Sequence, residues 1–290
     1  MDVFHPLLIA GLVVTEVAGA FLVPEATMTR RITRAKQRIT DAGATFAIPA
    51  GAERAERFAA ALRVLYLIYN EGYAATSGPR LHRAELSAEA IRLARMVHHL
   101  LPDDPEATGL LALMLLTDAR RPARSTPDGD LVPMAEQDRQ LWNADHIAEG
   151  ISLISEALPH GTPGPYQLQA AVAAVHDEAP SAEATDWPQI VALYEVLLRL
   201  DDNPVVALNH AVAVAMTSGV RAGLDLVEAL YSDERLAHDH RLHTVRGHLL
   251  ERAGDPAAAR DAFIAAAQLT ANVPQQRYLN ARAARLADAT

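Results

Sequence analysis

The chain has 290 residues, half of them hydrophobic but only 5% aromatic, and alanine (57) and leucine (37) are its commonest residues, a mix that favours packed helices over sheets. Its 26 basic and 36 acidic residues leave a formal charge of −10, which argues against a protein that coats nucleic acid or anionic membrane over its whole surface but permits a local basic element. The absence of cysteine excludes a disulfide scaffold, a thiol nucleophile and any cysteine-ligated zinc or iron–sulfur centre, and it suits a cytoplasmic protein.

The chain opens with an apolar run, Leu7–Val14, followed by Ala18-Gly19-Ala20. A secretory signal wants positive charge ahead of such a run, whereas here Asp2 is the only charged side chain before it. A membrane span needs about 20 apolar residues, and Glu16 interrupts this one. The run is therefore read as the buried face of short helices, and no membrane association is expected. From Thr15 to Leu22 a first helix is predicted, with Thr15 as its N-cap and Val17, Ala20 and Phe21 packing inward. Val23-Pro24-Glu25 breaks it, because proline is tolerated at a helix start and not inside one. A second helix follows to about Ile39. Met28, Ile32, Ala35 and Ile39 recur at spacings of four, three and four and form its apolar face, which leaves Arg30, Arg31, Arg34, Lys36 and Arg38 for the others.

Between Ala26 and Thr40 there are five basic residues and no acidic one. Residues 1–49 carry five basic and four acidic groups and the remainder 21 and 32, so the positive charge is concentrated in one short element. Two helices joined by a tight turn, the second one basic, make the arrangement that places a helix in the DNA major groove. Arg and Lys supply the salt-dependent phosphate contacts, and Thr27, Thr29 and Arg30 near the helix start are the candidates to reach base edges. The competing reading is an amphipathic helix with a solvated basic face.

After Gly43 and the Pro49-Ala50-Gly51 break, helical periodicity runs to the end. Helices are predicted over about 53–73, 84–100, 105–119, 134–158, 164–178, 187–200, 204–217, 221–231, 239–252, 256–270 and 275–287. No stretch shows convincing strand alternation, and Arg121–Pro133 reads as a polar surface loop. Gly219 and Gly254 are turn glycines 35 residues apart, close to the tetratricopeptide period. Gly247, Ala259, Phe263 and Ala266 occupy the small and aromatic positions of such a helix pair. The expected fold is all-α: a helix-turn-helix head over residues 1–45 and an array of antiparallel, tetratricopeptide-like helix pairs over 46–290.

The segment from Ala10 to Ile39 resembles the helix-turn-helix of region 4 in extracytoplasmic-function sigma factors, which reads the −35 promoter element. The resemblance is carried by Glu16-Val17-Ala18, Glu25-Ala26-Thr27-Met28, Arg31, Ile32 and Arg34-Ala35-Lys36. Pro24 stands where the family often has a small polar cap, and Ala26 where glycine is common. Carried over by position, Thr27, Arg31, Arg34 and Lys36 fall where that family contacts DNA. With the charge argument, the candidate DNA-binding set is Thr27, Thr29, Arg30, Arg31, Arg34, Lys36 and Arg38. The body is similar to the long C-terminal extension of one sigma-factor subgroup through Tyr66–Tyr73, Leu113–Leu116, Asp118–Arg124, Glu136–Arg139, Gly164–Ala171, Thr185–Trp187 and Leu208–Ala213. The resemblance implies promoter DNA and RNA polymerase core as partners, and a protein partner for the helical extension. The family's region 2, which melts the −10 element, is not matched in this sequence, so the resemblance implies a truncated form. A tetratricopeptide-like scaffold without DNA binding is the alternative.

Other residues invite other chemistry. His238, His240, His243 and His248 with Asp239 raise a metal site, but no HExxH-type pattern accompanies them. The adjacent His98 and His99 point in different directions on a helix. Asn70-Glu71 and Gln137-Asp138-Arg139 are expected to lock helices together by buried hydrogen bonds, and Tyr66, Tyr69 and Tyr73 to form a core stripe. No GxSxG, phosphate loop or dinucleotide fingerprint is present, so neither an enzymatic activity nor a cofactor or metal is expected.

Overall fold

A computed structural model describes residues 12–41, 51–159 and 161–288. The part of the apolar run before Leu12, Gly43, Pro49, Ala50 and the side chain of Ile39 lie outside the described residues.

The fold is all-α, built from helix pairs. Thirteen α-helices occur among the described residues: α1 (Val14–Ala20), α2 (Glu25–Asp41), α3 (Gly51–Tyr73), α4 (Ala84–Leu100), α5 (Pro105–Ala119), α6 (Ala144–Ala157), α7 (Pro165–Glu178), α8 (Trp187–Leu200), α9 (Pro204–Ser218), α10 (Val220–Leu230), α11 (His240–Arg252), α12 (Pro256–Leu269) and α13 (Val273–Asp288). Apart from the segment before α6, their limits match the predicted ones in the body to within two residues, because the breaks are chemically explicit. Asp104, Asn143, Asp186, Asn203, Asp239 and Asp255 each accept a backbone N–H at the start of the following helix, satisfying donors that the helix itself cannot. Gly219 and Gly254 close α9 and α11 at positive φ, a conformation glycine adopts without a steric cost.

Three local expectations are corrected. The predicted helix over 134–158 begins only at Ala144. Met134–Glu136 and Arg139–Leu141 are single 3-10 turns, because Asp138 and Asn143 turn their side chains onto the backbone N–H groups that follow them and restart the chain twice. The first helix starts at Val14, and Thr15 does not cap it: its hydroxyl donates to Glu25 Oε2 at 3.0 Å. Ala20 is exposed, and Val17 and Ala18 form the buried pair of α1. Two two-residue strands, Ser77–Gly78 and Ala271–Asn272, pair in parallel. The Arg121–Pro133 loop is braced by a bridge between Ser125 and Leu131 and buries Ala123.

The chain divides into two compact units. The first comprises the described residues up to Thr76 together with His82–Leu100, and the second Ser77–Leu81 with everything from Leu101 onward. In the first, α3 and α4 form an antiparallel pair around Leu62, Leu65, Ile68, Tyr69 and Ile91. They approach closely at Gly72, where a Cβ would lie 2.3 Å from the Ser87 backbone nitrogen. In the second, α5 is buried on nearly every side and packs against α6 and α7. From there α7 to α13 continue as paired neighbours, with successive cores around Ile190, Leu208 and Phe263. Gly247 admits the Phe263 ring against α11, the small-against-aromatic contact expected from the tetratricopeptide spacing.

Candidate nucleic-acid interface

The head is a helix-turn-helix made by local chemistry. After α1 the chain turns through Phe21-Leu22-Val23-Pro24. Leu22 takes positive φ (51°), its N–H donates to Gly19 O, and Val23 N–H donates to Ala18 O, both at 3.1 Å. This pair of bonds satisfies the last carbonyls of α1 and reverses the chain. Pro24 O then accepts from Thr27 and Met28 N–H and starts α2.

On α2, Met28, Ile32 and Ala35 are buried, as their spacing requires. Thr29, Arg30, Arg31, Arg34, Lys36 and Arg38 are exposed, and Thr27 is half-buried. At roughly 100° per residue, Thr27, Arg30, Arg31, Arg34 and Arg38 share a single arc on one flank of the apolar face. Thr29 and Lys36 lie on its opposite flank. The helix therefore presents a basic wall of four arginines on one side and a single lysine on the other. Arg30 Nε donates to Ala26 O at 3.2 Å, and the Thr29 hydroxyl donates to Glu25 O at 3.0 Å. Among the described residues, Arg31, Arg34, Lys36 and Arg38 take part in no ion pair or hydrogen bond through their side chains. Four cations without a counter-ion among the described residues leave this surface ready to neutralise an external anion.

The head is seated by contacts that join Glu16 and Phe21 to Arg83 and Arg63, two residues that the sequence pattern does not single out. Glu16 accepts from the Val13 N–H at 2.8 Å through Oε2 and from Arg83 Nη1 at 3.2 Å through Oε1. The Arg63 guanidinium lies 5.0 Å from the centre of the Phe21 ring. Glu71 is buried and accepts both the backbone N–H and the hydroxyl of Thr76. Burial pushes its carboxyl above the usual range, against the lowering effect of those bonds. Arg83 lies 67 residues from Glu16, so no periodicity or spacing signal joins them.

Two of the body strings, Asp118–Arg124 and Glu136–Arg139, meet the end of α7 in the second unit as a structural lock. Arg120 Nε donates to Asp177 Oδ1 at 2.7 Å and its Nη2 to Ala173 O at 2.9 Å. Arg139 Nη1 donates to His176 O and Ala179 O, closing the C-terminus of α7. Both guanidinium groups lie over the Trp142 ring, at 5.5 and 4.4 Å. Burial, reinforced by the two arginines, pulls His176 down to about 3. Gln167 spans Gly164 N–H and Ala157 O, and Glu106 accepts from the Tyr166 and Gln167 N–H groups. Of the groups expected to lock helices together, Arg139 reaches another helix, α7, whereas Glu71, Gln137 and the exposed Asp138 bond locally, to Thr76, Val132 O and Gln140 N–H. Of the tyrosine stripe, Tyr69 is in the core, and Tyr66 and Tyr73 are half-buried.

Three of the candidate metal residues have separate partners. Asp239 caps α11 and pairs with Arg241, His243 meets Tyr231, and His248 meets Tyr278 and Phe263. No group of three or more metal-ligating side chains occurs among the described residues, and no helix among them is long and apolar enough to cross a membrane.

Residues 57–158, from α3 to the end of α6, match DUF6596, a family of unknown function. Over 272 residues, 94% of the chain, the sequence is 46% identical to uncharacterized protein R00370 of Rhizobium meliloti (strain 1021). The chain spans 64% of the length of that relative.

Proposed function

We propose that the chain reads promoter DNA as the −35-recognition part of a transcription-initiation factor of the extracytoplasmic-function sigma class, without catalytic activity of its own. The observation that carries this reading is the exposed basic arc of α2, free of counter-ions among the described residues, on the second helix of a helix-turn-helix. In that role Arg31, Arg34 and Arg38 hold phosphates on one wall of the major groove and Lys36 approaches the other, while Thr27, Thr29 and Arg30 at the leading end reach base edges. RNA polymerase core is the partner that places the head on a promoter. The helical body is the regulatory or partner-binding part, and a cytoplasmic location follows from the role.

Salt tests it. Binding of the chain to a fluorescein-labelled promoter duplex, followed by anisotropy, should weaken steeply as salt rises. The Arg31→Ala/Arg34→Ala variant should bind less tightly, with a log–log salt slope shallower by about 2. A double variant that binds like the parent overturns the assignment and leaves the interaction scaffold.

A further inference from the structure

The seat of α1 supports an inference about control of the DNA-reading surface, resting on the reading above. α2 packs against α1, and α1 packs in turn on α3. Glu16 is the polar hinge of that arrangement. One carboxylate oxygen holds the N-terminus of α1 through Val13 N–H, and the other takes Arg83 from the start of α4. The pair is largely withdrawn from water, with 11% of the Glu16 and 26% of the Arg83 side chain exposed. Arg83 is itself fixed: its backbone N–H donates to Gly72 O at 2.7 Å, and its Nε lies 3.6 Å from Glu85. Around the pair, Thr15 ties α1 to the first residue of α2 through Glu25, and Gly19 lies against Thr76, which Glu71 holds.

We infer that Arg83, through Glu16, is a positioning residue for the DNA-reading helix, so that the functional DNA-binding unit includes α3 and α4 and is not confined to the helix-turn-helix. Arg83 touches α1 and not the basic arc. Its contribution is to keep α1 at one attitude, and with it the arc of Arg30, Arg31, Arg34 and Arg38. A head free to rock aligns fewer cations with the phosphates at one time and binds more weakly.

The two members of the pair separate this role from simple charge. If only net charge counted, Glu16→Gln would tighten DNA binding by removing a negative group and Arg83→Gln would weaken it. In the positioning role both weaken it, each by about tenfold for a part-buried charged hydrogen bond. The double variant should be no weaker than the worse single one, and Arg83→Lys should restore part of the loss. The measurements are anisotropy with the full chain and a labelled duplex, and backbone amide exchange of α1 and α2, which should accelerate in both glutamine variants. Tighter binding by Glu16→Gln, additive losses in the double variant, or unchanged exchange overturns the inference. If the parent chain binds no duplex, the DNA reading itself falls, and exchange alone then decides whether Arg83 seats the head.

Discussion

Leu22 and Gly254 perform the same task with opposite degrees of legibility. Each ends a helix in the left-handed region, with φ of 51° and 81°, and at each the following residue donates back into the last turn. Glycine announces such a turn in a sequence, whereas leucine at that position does not, because its Cβ makes the conformation costly. The head turn was legible only through Pro24. Buried histidines show another limit of local reading. His248 is held near 4 by burial and by Arg282, partly offset by Glu251, and His176 near 3. Both are uncharged in the fold and titrate near 6.5 when unfolded. Their folded values are depressed, so their contribution to stability is complete above pH 6.5 and is lost as pH falls toward 4 and then 3. Each adds a slope of about 1.4 kcal/mol per pH unit within its own window. Urea midpoints measured between pH 7.5 and 4.5 should fall accordingly. His176→Phe, which keeps an aromatic edge against Trp187, should reduce the slope by one proton; an unchanged slope would place the acid sensitivity elsewhere.

At the scale of elements, the alanine-rich composition has a geometric cause. Helices in both units cross where one or both present a small residue. A Cβ on Gly72 would meet the Ser87 backbone, and one on Gly223 would lie 2.4 Å from the Ala215 Cβ. Because the obstacle at Gly72 is main chain, α3 and α4 would have to move apart to admit a methyl group. Gly72→Ala should cost about 1–3 kcal/mol, measured as a lowered thermal midpoint, and amide exchange should rise in α3 and α4 first. A variant as stable as the parent would show that the pair is not closely packed there. Local bonding also explains why the helix predicted over 134–158 begins only at Ala144. Its composition permits a helix throughout, but Asp138 and Asn143 each bond the backbone ahead of them, and a local polar bond of this kind outcompetes weak helical propensity.

Over the whole molecule the charge is unevenly divided. By sequence, the unit that holds the head has eleven basic and nine acidic residues, and the other has 15 basic and 27 acidic. Salt should therefore act in two directions. In the proposed role it weakens the binding of DNA to α2, and in the acidic unit it screens repulsion. The thermal midpoint should rise by a few degrees between low and physiological salt, as read by calorimetry; a fall would mean that surface pairs such as Arg235–Asp233 outweigh the net repulsion. What the sequence by itself determined was local: most helix limits of the body, the turn glycines, the apolar stripe of Met28, Ile32 and Ala35, and the basic arc it leaves outside. These follow from the 3.6-residue period and from side chains that bond their own backbone within a few residues. Only the tertiary structure joined Glu16 to Arg83 across 67 residues and Arg120 to Asp177 across 57. The partner of a buried charge is chosen by which helix packs beside it, and no local period carries that choice.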